Sequence, residues 1–278
     1  MTKHVTLPGG EKVPALGIGT WMMGERAGAR AEEAESVRLG IELGLRLVDT
    51  AEMYGDGQCE SFLGEALAGL RDKIFLVSKV YPQNASRAGV VAACERSLKR
   101  LKTDRLDLYL LHWRGGVPLE ETIIGFEHLK SAGKIRHWGV SNFDTDDMQE
   151  LWETPGGEAC AVNQVLYNLT RRGPEWDLVP WHQEHEMPLM AYSPVEQGRL
   201  KQAGALAEIA AKHGAKPYQV ALAWTMRDGA TIAIPKASKP AHMRENAGAG
   251  AVKLDAEDFA RLDAAFPGPT RKRSLEML

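Results

Sequence analysis

Asp49, Tyr54, Lys79 and His112 are the residues of this chain whose types and settings could carry proton chemistry. Asp49 closes the apolar run LRLVD, and Tyr54 follows in the glycine-bounded stretch TAEMYGDG. IFLVSK finishes on Lys79, and LDLYLLH finishes on His112. Asp49 alone could equally cap the next turn. Successive apolar strands that stop on aspartate, lysine and histidine instead predict one polar cluster. A phenol with its ordinary pKa of about 10 is a poor proton donor at neutral pH, and an ammonium beside it is expected to lower that value. A buried lysine needs a counter-charge, which Asp49 supplies. A neutral His112 N–H could bond a developing alkoxide. This set suits carbonyl reduction. It offers no nucleophile paired with a base and no metal-ligand spacing, so the hydride must come from an organic cofactor.

The elements that must position these groups alternate along the chain. HVTL and EKVP flank the turn PGG and predict a hairpin, and ALGIGTW a short strand with close-packing glycines. Helical spacing is expected over 31–44, 58–70, 87–102, 119–132, 145–153, 175–186, 203–213, 217–228, 240–247 and 255–265. Between these lie LRLVD, IFLVSK, LDLYLLH, KIRHWGVSN, AVNQV, PLMAYSP and TIAIPK as strands. Eight strand–helix alternations predict a parallel sheet closed into a (β/α)8 TIM barrel after an N-terminal β-hairpin. The alternative is an open doubly wound sheet. It would normally carry a glycine-rich phosphate loop, and neither GxGxxG nor GxxxxGK[ST] occurs. No linker interrupts the pattern, so residues 1–278 are expected to form a single domain.

Of the 278 residues 44% are hydrophobic and 26% charged, the profile of an ordinary globular protein. The net charge of −3 gives no electrostatic case for nucleic acid. MTKHVTLPGGEKVP has no apolar signal-peptide core, and no run is long enough to span a membrane. Cys59, Cys94 and Cys160 are odd in number and far apart, which fits packing roles in a reducing cytoplasm. A monomer is the default expectation.

The segments LVDTAEMYG, LVSKV, DLYLLHW, GKIRHWGVSNF, NQVLYN, MAYSP and AIPKAS, in this order, resemble the aldo-keto reductases. The resemblance spans essentially the whole chain. It implies that Tyr54 is the general acid/base, tuned by Lys79 and Asp49, with His112 orienting the substrate carbonyl. It also implies a nicotinamide cofactor lying extended across the barrel mouth. Ser141, Asn142 and Gln164 would then hold the carboxamide, Tyr192 stack on the ring, and Ser193-Pro194 begin the loop along the pyrophosphate. Singly, Ser141 and Asn142 could be a helix cap, Gln164 a core amide and Tyr192 rim packing. Lys236 and Ser238 would grip the 2′-phosphate, with Glu245 and Asn246 near the adenine. His242 stands where the family commonly has arginine, and Ala237 where it has serine. Lys239 and Arg244 add charge nearby, so NADPH is expected over NADH.

Trp21, Met22, Met23, Trp113 and Phe143, with Tyr54, are expected to line the substrate pocket, although each aromatic alone could be core. The short stretch after the last helix, PGPTRKRSLEML, implies an open site. WMMGE, TAEMYGDG, SKVYP and MAYSP are similar to bacterial methylglyoxal-type reductases and imply reduction of methylglyoxal and other small or aromatic aldehydes. Two other readings stand beside it. The chain could instead be a reductase or dehydrogenase of sugars or keto acids, with Arg171 and Arg172 binding an anion or forming a surface pair. The chain could also be a non-catalytic nicotinamide-sensing subunit.

Overall fold

The computed structural model describes residues 3–278. Met1 and Thr2, which begin the stretch read for a signal peptide, lie outside the described residues. Eight strands form one parallel sheet in sequence order: β3 (Ile18–Gly19), β4 (Leu47–Asp49), β5 (Phe75–Val80), β6 (Leu106–Leu111), β7 (Ile135–Ser141), β8 (Asn163–Leu166), β9 (Leu189–Tyr192) and β10 (Thr231–Ala233). Parallel bridges Leu16–Ala233 and Gly19–Lys236 join the two edges, which closes the barrel. The closure depends on small residues. A Cβ on Gly19 would come 2.7 Å from the Ile234 carbonyl oxygen, and one on Gly17 2.8 Å from that of Leu47. The glycines of LGIGT therefore serve strand packing.

Helices alternate with the strands: α1 (Arg30–Glu42), α2 (Gln58–Ala66), α3 (Arg87–Leu101), α4 (Leu119–Ser131), α5 (Thr145–Glu153), α6 (Leu178–Glu184), α7 (Ala205–Lys212), α8 (Pro217–Thr225), α9 (Pro240–Gly248) and α10 (Ala256–Ala265). β5 and β6 are buried at every position, as strands covered on both faces must be. The hairpin β1 (His4–Thr6) and β2 (Lys12–Pro14) pairs in antiparallel register, Val5 opposite Val13. Its turn residue Glu11 bonds Arg136 and His137 at the start of β7, so the hairpin covers the end of the barrel opposite the strand C-termini.

The structure shifts several expected boundaries. β5 runs one residue past Lys79, and His112 lies one residue beyond β6. β10 stops at Ala233, and Lys236 touches the sheet only through its bridge to Gly19. α6 begins at Leu178 because Pro180, which has no N–H to give, is tolerated only in a first turn. Among the described residues, no helix is long and apolar enough to cross a membrane.

Candidate active site

The four expected residues meet at the C-terminal mouth of the barrel. Asp49 ends β4, and the next strand presents Lys79, whose side chain has no solvent exposure. Lys79 Nζ donates to Asp49 Oδ2 at 2.8 Å, to the Thr50 carbonyl at 2.8 Å and to Tyr54 Oη at 3.2 Å. All three ammonium protons are thereby used, as burial requires. The His112 ring lies edge-on to that of Tyr54, with centroids 6.0 Å apart. Thr20 Oγ1 donates to the Asp49 carbonyl at 2.8 Å, tying the exit of β3 to the cluster.

Burial dominates the protonation of this site. It lowers His112 to about 2, with the Lys79 charge adding to the effect, so the imidazole is neutral at ordinary pH. His112 Nδ1 is buried without a partner, and an orphaned lone pair costs less than an orphaned N–H. The proton therefore belongs on Nε2, which makes that atom a donor. Burial also lowers Lys79, against the opposing pull of Asp49. Tyr54 departs from expectation. Desolvation first, and then the Asp49 and Cys59 charges, raise it well above the ordinary phenol range. The neighbouring ammonium does not outweigh those effects, so Tyr54 is a protonated phenol at ordinary pH.

Around this centre the residues expected to hold a carboxamide already bond one another. Ser141 Oγ donates to the Gln164 carbonyl at 2.8 Å. Asn142 Nδ2 donates to the His112 carbonyl at 3.0 Å and to Ser141 Oγ at 3.1 Å, and Tyr192 Oη donates to Asn142 Oδ1 at 3.0 Å. The α5 cap is Asp144, in a reciprocal box with Asp147, which removes helix capping as the role of Ser141 and Asn142. Gln164 Nε2 donates to Asp49 Oδ1 at 2.8 Å and also contacts Met190 Sδ. Its amide is thus partly the core group its setting allowed, and only Oε1 is left to meet a ligand. At the far rim Lys236, Lys239, His242 and Arg244 are exposed, Ser238 and Glu245 are half-buried, and Asn246 is buried.

Two expected pocket residues prove to be core. Met23 and Phe143 have no exposed surface, and Phe143 is pinned by Asn163 Nδ2 on its carbonyl at 2.8 Å. Trp21 and Met22 are exposed by 42% and 52%, and Trp113 is half-buried. Tyr81, not anticipated, stands edge-on to Trp113 with centroids 5.8 Å apart. Its position two residues after Lys79, on the same side of an extended strand, was the available signal. The mouth is also less open than the short final stretch implied. Lys272 reaches Asp146 and Asp177, Leu275 packs on the core, Glu276 pairs with Arg171, and the Leu278 backbone lies beside Tyr192. Arg171 and Arg172 hold carboxylates: Glu196 and Glu276 for the first, Glu175 and Asp263 for the second. Neither guanidinium is free for an acidic substrate.

Backbone strain gathers at this mouth. Met22, Asp56, Asn142, Ser193, Glu196 and Gln197 are non-glycine residues with φ between 47° and 62° in the loops that follow strands. Such conformations cost about 1 kcal/mol or more and persist where surrounding contacts impose them. Among the described residues, no group of three or more His, Cys, Asp or Glu is arranged to hold a metal.

The sequence profile of the Aldo/keto reductase family matches residues 15–266. Methylglyoxal reductase YeaE of Escherichia coli is 52% identical over 281 residues, covering 99% of both chains. Glyoxal reductase of Bacillus subtilis is 34% identical, covering 94% of this chain and 91% of that protein. The crystal structure of an aldo-keto reductase from Klebsiella pneumoniae in complex with NADPH superposes with a TM-score of 0.97 at 50% identity, covering all of both chains. The chain is an oxidoreductase and belongs to the aldo/keto reductase family.

Proposed function

We propose that the chain, as one barrel domain over 1–278, reduces methylglyoxal and other small or aromatic aldehydes to alcohols with NADPH, Tyr54 giving the proton. The observation that carries this reading is the Asp49–Lys79–Tyr54 hydrogen-bond chain set against a neutral His112. His112 Nε2 would hold the substrate carbonyl oxygen beside Tyr54 Oη. As negative charge develops on that oxygen, the phenol donates its proton, and Lys79 stabilises the phenolate left behind. Asp49 keeps the ammonium in place and carries the balancing charge.

The residues fit a nicotinamide nucleotide phosphate. Gln164 Oε1 and the second lone pair of Asn142 Oδ1 are free to accept from an amide, and Tyr192 is half-exposed beside them. Lys236, Lys239, His242 and Arg244 are exposed and have no carboxylate partner among the described residues. That donor set suits a polyanion, and it favours NADPH over NADH. Ser193 and Pro194 would follow the pyrophosphate, and Glu245 and Asn246 the adenine. NADPH, when bound, supplies the hydride. Trp21, Met22, Trp113 and Tyr81 would close over a short carbonyl substrate. The chain's relatives named as methylglyoxal and glyoxal reductases favour 2-oxoaldehydes. The same reading has the chain acting as a monomer in the cytoplasm, which a mass of two chains in sedimentation would contradict.

The test is NADPH oxidation with methylglyoxal in the parent and in Tyr54→Phe. The variant should lose about 10²- to 10⁴-fold in kcat while binding NADPH as before. Equal rates in both would remove Tyr54 as proton donor.

A further inference from the structure

Arg171 joins two segments that are remote in sequence, the loop after β9 and the final stretch of the chain. The loop is shaped from outside. Buried Asn168 donates from Nδ2 to the Ser193 carbonyl and to Glu196 Oε2, each at 2.9 Å, and its Oδ1 accepts from the Arg171 N–H at 3.1 Å. Arg171 then donates to Glu196 Oε1 from Nη2 at 2.9 Å and from Nε at 3.2 Å. Ser193, Glu196 and Gln197 all have positive φ, so the loop needs these bonds to keep its form. From the same guanidinium, Nη1 donates to Glu276 Oε1 at 2.9 Å. Glu276 lies between Leu275, packed on the core, and Leu278, whose backbone is beside the Tyr192 hydroxyl. Arg199, 3.7 Å from Glu196, is the other cation facing this carboxylate.

We propose that Arg171 is a positioning residue that couples the grip of the β9 loop on the cofactor to the seating of the final stretch at the mouth. The fork reaches the two carboxylates from different edges, Nη1 toward Glu276 and Nη2 with Nε toward Glu196, a spread that a compact ammonium does not reproduce. Whatever orders one segment therefore steadies the other, and the coupling is reciprocal. The inference rests on reading the β9 loop as a cofactor contact.

NADPH release, followed by stopped-flow fluorescence, tests it in Glu276→Gln, Arg171→Ala, Arg171→Lys and the Glu276→Gln/Arg171→Ala double variant. Glu276→Gln leaves every bond to the β9 loop intact, yet should speed release about threefold, the scale of one partly exposed ion pair, with Tm lowered by no more than about 2 °C. Arg171→Ala should speed it about tenfold. Arg171→Lys should resemble Glu276→Gln, and the double variant should match Arg171→Ala. Release unaffected by Glu276→Gln, or effects that multiply in the double variant, would overturn the coupling alone. A parent that binds no NADPH would instead overturn the functional reading and the coupling with it.

Discussion

Replacing Lys79 by methionine tests the centre of the site most directly. The Lys79–Asp49 pair is 2.8 Å apart with both side chains buried. At an effective dielectric of 20 such a pair attracts by about 6 kcal/mol before desolvation is subtracted. The net worth of the pair is far smaller, but removing one member strands the other, which costs about 3–5 kcal/mol. In Lys79→Met the Asp49 carboxylate keeps the Gln164 bond and loses its ammonium. For a chain of this size the loss corresponds to a fall in Tm of about 5–10 °C. The phenol of Tyr54 loses its only side-chain hydrogen-bond donor among the described residues as well, so kcat should fall with stability. Adding Asp49→Asn to Lys79→Met removes the stranded charge and should recover much of the Tm while kcat stays low. The assay pairs thermal unfolding with NADPH oxidation by methylglyoxal. A Lys79→Met variant with parental Tm, or a double variant that regains activity with stability, would refute the argument.

Two further outcomes concern histidines. His112 and His182 are buried and lowered to about 2 and about 4, so the unfolded chain binds more protons than the folded one as pH falls below the ordinary histidine value. Stability is therefore complete above about pH 6.5 and declines below it, by about 2 kcal/mol per histidine at pH 5. Denaturant titrations at pH 7.5 and 5 should show the loss, and His182→Gln should remove about half of it. An unchanged stability between those values would contradict the burial argument. Substituting His242→Arg restores a permanent planar cation at the exposed rim and should tighten NADPH about three- to tenfold without affecting NADH. Dissociation constants for the two nucleotides that shift together would show that position 242 does not contact the extra phosphate.

The barrel was legible because its signals are periodic. β5 and β6 read as unbroken apolar runs, and the helices end at glycines and caps close to where the pattern stops. The four central residues were legible because a lysine and a histidine at the ends of apolar strands have no packing reason to be there. What escaped prediction depends on side-chain geometry across the barrel. Nothing in the spacing of Met23 and Phe143 distinguishes a pocket wall from the core beneath it. Burial and the Asp49 and Cys59 charges all raise the Tyr54 proton affinity, and motif order carries no magnitudes. Arg171 and Glu276 are separated by more than a hundred residues, so their pairing could not be read locally.

Asp49 divides its two oxygens between neighbours on different parts of the circle. Oδ2 meets Lys79 on the adjacent strand, whereas Oδ1 meets Gln164 on β8, four strands away and across the barrel. One carboxylate thus serves as a strut over the diameter of the mouth as well as a partner to the ammonium. A substitution at this position is pleiotropic, because proton chemistry and the cross-section of the barrel change together. The loops carrying Trp21, Met22, Tyr81 and Trp113 have no such double duty.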